Sequence, residues 1–600
     1  MRRMLTLGRR TGARWGSSDL AVRVAAFAFG LLAASCGNPV VDSGGRDAAR
    51  DVVDPGVDSR ADAASDGTPD DGAADVASDS SPADVAPPAA LSASPPGHDF
   101  GNVELGVATE TVPWTITNLG GVATGSLTLA NTAPNDIIVA NGCTAALDPS
   151  ASCTIMVAFK ATSAGMRTGM LTLTANPGGA VTFAVTARGQ YRLTIVKSGT
   201  GTVASTPGAI DCGQACSALV DPGTVTLRAD TTNGSGFFFS GWSGGGCSGP
   251  ARACDATIAG PTTITANFSA MMANLIFMTG PTVPANLGSA AAYDPKCNEI
   301  ATSAGINTAS GDGYIAYISD AALSAPSRVG TTARGWVRLD GKPFADTLTN
   351  LTTLDGAVYN GISFDERGNA LVSGYAFTGT LPTGAWDSMF SCNGWTTTSA
   401  DVRVDVGRAD GGPNHWVTGA TVPCDAPASL ICVGKTRASV VVPVVTAGKR
   451  IWQSTSYFKA GDSQSPDAKC GAERPAGVAD GRALIATTTR QAATVLDPAA
   501  VYVRPDGTRV GTGALIAQGF GLESGIWQTA TGQYQSRYAV WTGSATPSAV
   551  GTISSTCNDW QDTSSASFGT SGVSGLAFIL WWSGSVAACS GAWPIYCVEP

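Results

Sequence analysis

Cys392-Asn393-Gly394-Trp395 returns 165 residues later in the chain as Cys557-Asn558-Asp559-Trp560. The cysteines around the two stretches repeat with them: successive intervals are 95, 32 and 8 residues in one set and 87, 32 and 8 in the other. A fixed period over so long a stretch indicates one domain that has been copied. We therefore expect two homologous domains, 271–437 and 446–600.

The rest of each copy supports this interpretation. The repeated cysteines are Cys297, Cys392, Cys424 and Cys432 in one copy and Cys470, Cys557, Cys589 and Cys597 in the other. Three further segments recur: Trp336–Gly341 as Tyr502–Gly507, Phe377–Gly379 as Trp541–Gly543, and Ile431–Val433 as Tyr596–Val598. Each copy should open with a helix that carries its first cysteine, because Asp294-Pro295 and Ser465-Pro466 place a capping residue before a first-turn proline. Gly305 should end the first helix, and Pro475 should cut the second one short.

Short strands in long loops rich in glycine, threonine and serine follow the helix in each copy. With the paired late cysteines, this pattern resembles the C-type-lectin-like fold and especially its endostatin-like branch. The matching segments are Tyr314–Ser319, Trp541–Gly543, Cys557–Trp560 and Ile595–Glu599. The resemblance implies two α+β domains with nested disulfides: Cys297–Cys432 around Cys392–Cys424, and Cys470–Cys597 around Cys557–Cys589.

Two smaller β domains are expected before the copies. Residues 91–190 alternate apolar and polar side chains between turns, which predicts a β-sandwich. Motifs such as Asp99–Val103, Asn118–Gly121 and Asp148–Thr154 resemble immunoglobulin-like domains of the abnormal-spindle/hydin type. Residues 191–270 resemble a divergent internalin-type B repeat, carried by Leu193–Gly201 and Phe239–Trp242 among others. The predicted fold is therefore multidomain and mainly β, with an immunoglobulin-like β-sandwich, a small β repeat and two C-type-lectin-like domains.

The first 36 residues predict export. Six arginines precede a short apolar run that ends in Ala33-Ala34-Ser35-Cys36. This pattern is typical of a secretory signal and resembles the lipobox of bacterial lipoproteins, in which Cys36 would be lipidated. A plain secreted protein is the alternative, since Ala33 replaces the usual leucine three residues before the cysteine. Residues 37–90 hold 12 aspartates and 3 arginines and no aromatic residue, so we expect a disordered tether.

An exported chain meets an oxidising compartment, where cysteines pair. Apart from Cys36, 14 of the 15 cysteines remain, so seven disulfides are expected. The six cysteines outside the copies should pair as Cys143–Cys153, Cys212–Cys216 and Cys247–Cys254. A four-thiolate zinc site at the last four is the alternative.

Several other sites are excluded or weighed against plainer explanations. The chain has two histidines, His98 and His415, and a net charge of −10, which excludes a histidine metal cluster and disfavours nucleic-acid binding. Neither copy has the calcium triplets of sugar-binding lectins, so we expect no metal and no cofactor. Asp401, Asp405 and Asp410 form a possible hard-cation cluster or a solvated acidic loop. The candidate ligand contacts are Trp416, Trp541, Trp560 and Trp582, together with Trp581, with burial in a loop-rich core as the alternative.

Three functions remain open from the sequence. The first is a lipid-anchored surface protein of the cell envelope, on the outer membrane and facing outward. Its two lectin-like heads would bind an extracellular glycan or protein without calcium, each weakly and together tightly. The second is a structural envelope or spacer protein. An enzyme is the least expected, because no nucleophile–base pair or paired-carboxylate motif is evident.

Overall fold

The structure is a computed structural model that describes residues 85–578 and 580–600. The expected signal peptide, its lipidation site Cys36 and the tether as far as residue 84 lie outside the described residues. The tether's last residues do not behave as predicted. Residues 85–90 run beside the first domain, where Gly121 donates to the carbonyl of Pro87 and Leu119 to that of Ala90, both at 2.8 Å. The ordered chain thus begins before the predicted boundary at Leu91.

The first domain is a β-sandwich. One sheet has the order β1-β3-β6-β5, and β4, β7, β8 and β2 form the opposing layer. Apolar side chains from both layers, including the fully buried Trp114, Ile155 and Phe183, fill the space between them. The strands are β1 (Leu91–Ser94), β2 (Gly97–Glu104), β3 (Val112–Asn118), β4 (Thr128–Asn131), β5 (Ile137–Asn141), β6 (Ser152–Phe159), β7 (Gly165–Ala175) and β8 (Gly179–Ser198).

The second domain is built on the same long strand. The first part of β8 pairs with β7 and β2, and its second part pairs with β10 and, in parallel, with β14. The predicted boundary at residues 190 and 191 is therefore wrong, because the alternating pattern continues through it as one strand. The remaining strands are β9 (Thr202–Thr206), β10 (Ser217–Val220), β11 (Gly223–Asp230), β12 (Phe237–Ser243), β13 (Ala253–Ile258) and β14 (Thr262–Ala270).

The first C-terminal copy combines short helices with a sheet of short strands in the order β18-β17-β15-β22-β19-β20-β21, with β16 on β22. Its core lies on both sides of this sheet. The elements are β15 (Asn274–Met278), α1 (Asp294–Ser303), β16 (Tyr314–Ala316), α2 (Ala325–Val329), β17 (Trp336–Val337), β18 (Pro343–Ala345), α3 (Leu348–Leu351), β19 (Tyr375–Phe377), α4 (Cys392–Trp395), β20 (Arg403–Arg408), β21 (Ala420–Pro423) and β22 (Ser429–Gly434).

The second copy repeats this plan with smaller sheets. Its first strand pairs antiparallel with its last, Ile451 with Val598, as Ile276 pairs with Val433 in the first copy. The elements are β23 (Lys449–Gln453), β24 (Phe458–Lys459), α5 (Pro466–Ala472), β25 (Arg482–Ala483), β26 (Val501–Val503), β27 (Arg509–Thr512), α6 (Gly513–Gln518), β28 (Val540–Trp541), α7 (Cys557–Trp560), β29 (Phe568–Gly572), α8 (Leu580–Ser583), β30 (Ser585–Ala588), β31 (Ala592–Trp593) and β32 (Tyr596–Val598).

The mainly β, multidomain fold predicted from the sequence is confirmed, while the lectin-like and endostatin-like assignment of the copies stays a prediction. Among the described residues, no helix combines the length and the apolar character needed to cross a membrane.

The opening helices carry Cys297 and Cys470 as expected, but one predicted cap is wrong. Ser465 caps α5 by accepting from the amide of Ala468 at 3.2 Å. Asp294 is instead the first residue of α1, and Tyr293 precedes it without a side-chain cap. The Asp294 carboxylate accepts from the amide of Ala316 at 2.9 Å and pairs with the buried Arg328, which draws it away from the helix end.

Within the residues that the structure describes, seven disulfides join the cysteines in the pairs expected from the sequence. They are Cys143–Cys153, Cys212–Cys216, Cys247–Cys254, Cys297–Cys432, Cys392–Cys424, Cys470–Cys597 and Cys557–Cys589. The two long bridges tie the opening helix of each copy to its last strand. The shorter bridge of each copy, Cys392–Cys424 or Cys557–Cys589, holds the repeated four-residue segment that begins with its first cysteine.

Those two segments, α4 and α7, are left-handed turns rather than ordinary helices. All four residues of each have positive φ, between +49° and +68°. Such a run is costly for residues other than glycine, about 1–2 kcal/mol per residue. The turns bring Trp395 and Trp560 into the cores of their copies, where each indole donates to a main-chain carbonyl, of Ser319 and Ala486 respectively.

Candidate binding site

Equivalent positions of the two copies pair with each other. Gly411 and Leu576, which stand 165 residues apart as the repeated turns do, form an antiparallel bridge. Each of the two flanking hydrogen bonds is the repeat counterpart of the other. They run from the amide of Gly412 to the carbonyl of Gly575 at 2.8 Å, and from the amide of Ala577 to the carbonyl of Asp410 at 3.1 Å. The copies thus meet about a local twofold axis, and we call their contact surface the seam.

One side of the axis, the closed half of the seam, is filled by aromatic side chains of the second copy. Trp527 Nε1 donates to the carbonyl of Val358 at 2.8 Å, and its ring centroid lies 5.1 Å from Arg504 Cζ. Arg504 itself donates to the carbonyl of Tyr359 at 2.7 Å. The ring of Tyr534 lies 5.8 Å from the same Cζ atom. Trp527 and Arg504 are fully buried, so this side is closed.

The counterpart side is open and forms a cleft of about 360 Å³ between the copies. Its apolar wall consists of Phe364, Leu371 and Val372 from the first copy and Leu522 and Phe578 from the second. A smaller space of about 300 Å³ adjoins it and reaches the linker residue Val444. Both spaces are lined by Lys342 and Glu523, whose charged groups are 3.6 Å apart. The cleft is therefore a composite of both copies.

Two substitutions within the repeat explain why only one side is open. Residues 361–371 and 525–535 align at a constant offset of 164, with identical residues at the first, second and eighth positions. Equivalent bridges, Phe364 to Ala370 and Gln528 to Tyr534, close both segments. In this alignment Ser363 stands where the second copy has Trp527, and Ala370 stands where it has Tyr534. The cleft is the space that two aromatic rings fill on the other side.

The charges around the cleft are paired. Arg338 donates from Nε to Asp340 at 3.0 Å, and Arg408 donates to both oxygens of Asp410 at 2.9 and 3.1 Å. Burial alone would raise the pKa of Asp340, but the charge and hydrogen bond of Arg338, together with the amide and charge of Lys342, outweigh it and hold that pKa below its usual value. The site therefore offers fixed, already neutralised charges around an apolar wall, which suits non-covalent binding of a partly apolar group.

A second polar group lies deep in the seam. The Nδ1 atom of His415 is 2.5 Å from Ser536 Oγ, and both residues are buried. Burial lowers the pKa of His415 to about 4. Asp355 bridges the copies nearby by pairing with Arg537 at 3.0 Å. A substrate could not reach this serine–histidine pair, because both side chains are buried. Since the two residues belong to different copies, their hydrogen bond holds the copies together.

The tryptophans predicted as ligand contacts are core residues. Trp416, Trp541, Trp560, Trp581 and Trp582 are all buried. The indole of Trp541 donates to the carbonyl of Phe458 at 3.1 Å, and that of Trp581 donates to Phe520 at 3.0 Å. The prediction is wrong for a physical reason: domains with few long elements fill their cores with large side chains, and a tryptophan closes much space with one residue.

The three aspartates of the possible cation site do not act together. Asp401 is exposed, Asp405 is buried, and Asp410 is paired with Arg408. Burial, reinforced by the neighbouring Asp387 carboxylate, raises the pKa of Asp405 to about 7. Across residues 85–578 and 580–600, no group of three or more acidic, histidine or cysteine side chains could hold a metal ion.

The cleft was missed by reasoning from the sequence. Its residues are ordinary apolar and charged side chains, and the cysteine spacing does not reveal that the copies pack against each other. A signal was present, however, in the residue-by-residue comparison of the copies. Ser363 opposite Trp527, and Ala370 opposite Tyr534, are large changes of volume inside an otherwise well-aligned segment.

No family model matches the chain, and no curated protein matches it. Solved structures similar to parts of it include the VesB protease of Vibrio cholerae, at 24% identity over 16% of this chain and 31% of that one, with a TM-score of 0.14. The PapD-like domain 7 of human CEP192 matches at 10% identity over 20% and 97% of the chains, with a TM-score of 0.15. The secreted serine protease VesC of Vibrio cholerae matches at 15% identity over 30% and 44%, with a TM-score of 0.15. The chain spans less than a third of VesB. Likeness at these TM-scores identifies neither a family nor an activity for this chain.

Proposed function

We propose that this chain is a binding or adhesion protein of the cell surface whose two C-terminal copies form one composite head. The observation that carries the proposal is the cleft of about 360 Å³ at the seam, with walls from both copies. Largely apolar clefts with a few fixed polar groups are the usual form of a ligand site. The seam joins the copies, so a single shared site replaces the two independent heads expected from the sequence.

An extracellular protein is a better partner for this cleft than a glycan. Sugars are commonly recognised by stacking on the ring of a tryptophan or tyrosine, and neither residue type lines the cleft. The cleft instead presents Phe364, Leu371 and Leu522, which suit an apolar side chain. The charges of Lys342 and Glu523 at its edge suit the polar surroundings of such a side chain on a protein surface.

Binding, rather than catalysis, is the proposed activity, with no cofactor and no requirement for calcium. The carboxylates of the cleft, Asp340, Asp410 and Glu523, are each paired with an arginine. None of them is placed as a free general base, and the buried His415–Ser536 pair holds the seam. The missing calcium triplets of the sequence support the calcium-independent part of the proposal.

The proposed location is the outward face of the outer membrane, held by lipid on Cys36. Its support is the sequence of residues 1–90, with a secretory signal, a cysteine after small residues and an acidic spacer. The fused domains of residues 91–270 would then carry the head away from the membrane. A purely structural spacer is the alternative function, and it predicts no saturable partner for the cleft.

The test is binding of the full-length chain to an array of matrix proteins and glycans, with and without chelator. Val372→Asp places a charge in the apolar wall, and Val550→Asp is a matched control, because the two valines are 48% and 47% exposed and only Val372 lines the cleft. We expect saturable binding to a protein that Val372→Asp weakens at least tenfold and Val550→Asp leaves unchanged. Absence of any saturable partner would favour the spacer function, and binding abolished by chelator would contradict the calcium-independent part.

A further inference from the structure

We propose that the cleft is a socket for an aromatic side chain, tryptophan or tyrosine, presented by a partner protein. The inference rests on the proposed function and names the chemistry that its site accepts. The molecule itself supplies the template, because the closed half of the seam is the counterpart of the cleft and is filled by Trp527 and Tyr534.

The walls around these two rings recur around the cleft. Arg504, above the ring of Trp527, corresponds to Arg338, which lines the cleft. Val358 and Tyr359, whose carbonyls accept from Trp527 and Arg504, correspond at the offset of 164 to Leu522 and Glu523. The cleft therefore keeps these walls and lacks counterparts of the Trp527 and Tyr534 rings.

The guanidinium of Arg338 makes two contacts that resemble those of Arg504. Arg504 donates to the carbonyl of Gly525 at 3.2 Å and to a serine hydroxyl at 3.0 Å. Arg338 donates to the equivalent carbonyl of Gly361 at 3.1 Å and to Ser363 Oγ at 3.3 Å. It already lies over an aromatic ring, with Cζ 5.0 Å from the centroid of Phe364. A fixed guanidinium of this kind attracts the face of a further aromatic ring.

The cleft also offers acceptors for the polar edge of such a ring. The carbonyl of Val358 accepts the indole N–H of Trp527 in the closed half. In the part of the chain that the structure describes, no group donates to the carbonyl oxygens of Leu522 and Glu523. An indole N–H or a phenol O–H is the donor that this arrangement suits, and an aliphatic side chain cannot supply it.

One difference sets the depth of the socket. Gly412 packs flat against Trp527, and a Cβ atom added there would lie 2.5 Å from the ring. Its counterpart in the cleft is Ala577, which carries that Cβ. A bound ring therefore cannot lie as deep as Trp527 does, and its outer edge meets Phe578 and Val372. This favours a side chain on a protruding loop of the partner.

The test uses the purified full-length chain and N-acetyl-tryptophanamide as the probe, followed by ligand-observed NMR. A fragment of this size should bind with a dissociation constant on the order of 1 mM. N-acetyl-leucinamide should bind at least tenfold more weakly. N-acetyl-1-methyltryptophanamide should bind more weakly than the parent probe because its ring nitrogen no longer donates.

Two variants fill the cleft with a large side chain of the protein itself. Ser363→Trp and Ala370→Tyr, each introducing the residue of the other copy, should abolish probe binding. Ala370→Tyr should leave the thermal midpoint unchanged or raised, whereas Ser363→Trp places a bulky residue at a φ of +60° and should lower it. Ser388→Trp, at an exposed serine of the same copy outside the cleft, is the matched control and should bind as the natural chain does. The less buried position 370 keeps the test valid if Ser363→Trp does not fold.

The outcomes separate this inference from the proposed function. No probe binding, or binding that both filling variants leave intact, overturns the socket. An array partner lost in Val372→Asp, with no probe binding, preserves the function and rejects the aromatic occupant. Probe binding without any array partner preserves the socket chemistry and rejects the function. Binding of free indole but not of the amide probe would assign the cleft to a small aromatic molecule and overturn the protein partner.

Discussion

The imidazole of His415 in the first copy and the hydroxyl of Ser536 in the second form a buried hydrogen bond of 2.5 Å across the seam. The Nε2 atom of the same ring has no hydrogen-bond partner among the described residues. Arg408, Asp355 and Tyr538 are the charged or titratable neighbours that face this ring. A neutral histidine therefore helps to hold the seam, and protonating it in the folded chain would cost free energy.

Acid should loosen the seam. Burial lowers the pKa of His415 to about 4, from an ordinary value of 6.5. As the pH falls, the unfolded chain therefore takes up the proton before the folded chain does. The contribution of neutral His415 to the free energy of unfolding is complete above pH 6.5 and is lost as the pH falls to 4. The loss is roughly 3 kcal/mol by the size of the shift. We expect His415→Gln to flatten this part of the curve of thermal midpoint against pH, whereas Ser536→Ala, which keeps the imidazole, should retain it. Identical slopes in His415→Gln and the natural chain would falsify the assignment.

A rise in pH from about 4 to 7 should weaken the first copy through a different group. The pKa of Asp405 is raised to about 7 by burial and by Asp387, so the folded chain holds this proton between pH 3.8 and 7. The contribution is complete below pH 3.8 and is lost as the pH rises through 7. Asp405→Asn should match the natural chain near pH 4 and exceed its unfolding free energy at pH 8. Asp410→Asn is the contrasting control: it breaks the buried pair with Arg408 and should destabilise by about 3–5 kcal/mol. No gain at pH 8 for Asp405→Asn would contradict the prediction.

The left-handed turn of the first copy should depend on its glycine. Gly394 has a φ of +68°, and no atom lies within 4 Å of a Cβ added there, so Gly394→Ala meets no clash and suffers only from the backbone conformation. The expected loss is about 1 kcal/mol in the free energy of unfolding. Gly260 also faces open space but lacks a positive φ, so Gly260→Ala should be neutral or slightly stabilising. Equal effects of the two substitutions in denaturant titrations would show that the turn is not strained.

The second copy should not be stable when separated from the first. Trp527 is buried against Gly412 and donates to Val358, both in the other copy, so residues 446–600 alone would expose this ring. Exposing one such side chain costs about 2–3 kcal/mol. Trp527→Ser should lower the thermal midpoint more in the tandem than in the isolated fragment, where only the contacts of Trp527 within its own copy remain to be lost. A fragment as stable as the tandem would show that the seam contributes nothing to folding.

The membrane anchor is tested at Cys36. Cys36→Ser should release the protein from the membrane fraction or leave its precursor uncleaved, because the proposed lipid attachment would be lost. Cell fractionation with immunodetection provides the measurement. Membrane association that is unchanged in Cys36→Ser would reject the lipoprotein assignment.

The sequence predicted local features better than relationships between domains. The repeat predicted the two copies, and the cysteine pairing followed from the family resemblance. Ser465 was a correct cap because its interaction lies within three residues. Asp294 was not, because Arg328, 34 residues away, competes for its carboxylate. The boundary at residue 190 failed because a period-two pattern does not tell one long strand from two.

The candidate site could not be predicted for the same reason. Tryptophans such as Trp541 are obvious candidates for ligand contacts in a sequence. In the structure their rings are buried in the core, where the indole N–H of Trp541 also finds its acceptor. The cleft depends on Ser363 and Ala370, which are unremarkable by themselves. These two residues line a cleft only because Gly411 pairs with Leu576 and so joins the copies. No periodicity within one copy specifies that contact.

Strand β8 gives the part of the molecule before the copies a defined mechanical response. Its first part pairs in parallel with β2 and its second part in parallel with β14. A tension applied between the N-terminal side and the C-terminal copies would pull β2 and β14 in opposite directions along β8. Their hydrogen bonds would then be loaded in shear, many at once, rather than opened one after another. Under such a load, the rate of unfolding of these two strands rather than the stretching of a hinge would limit rupture.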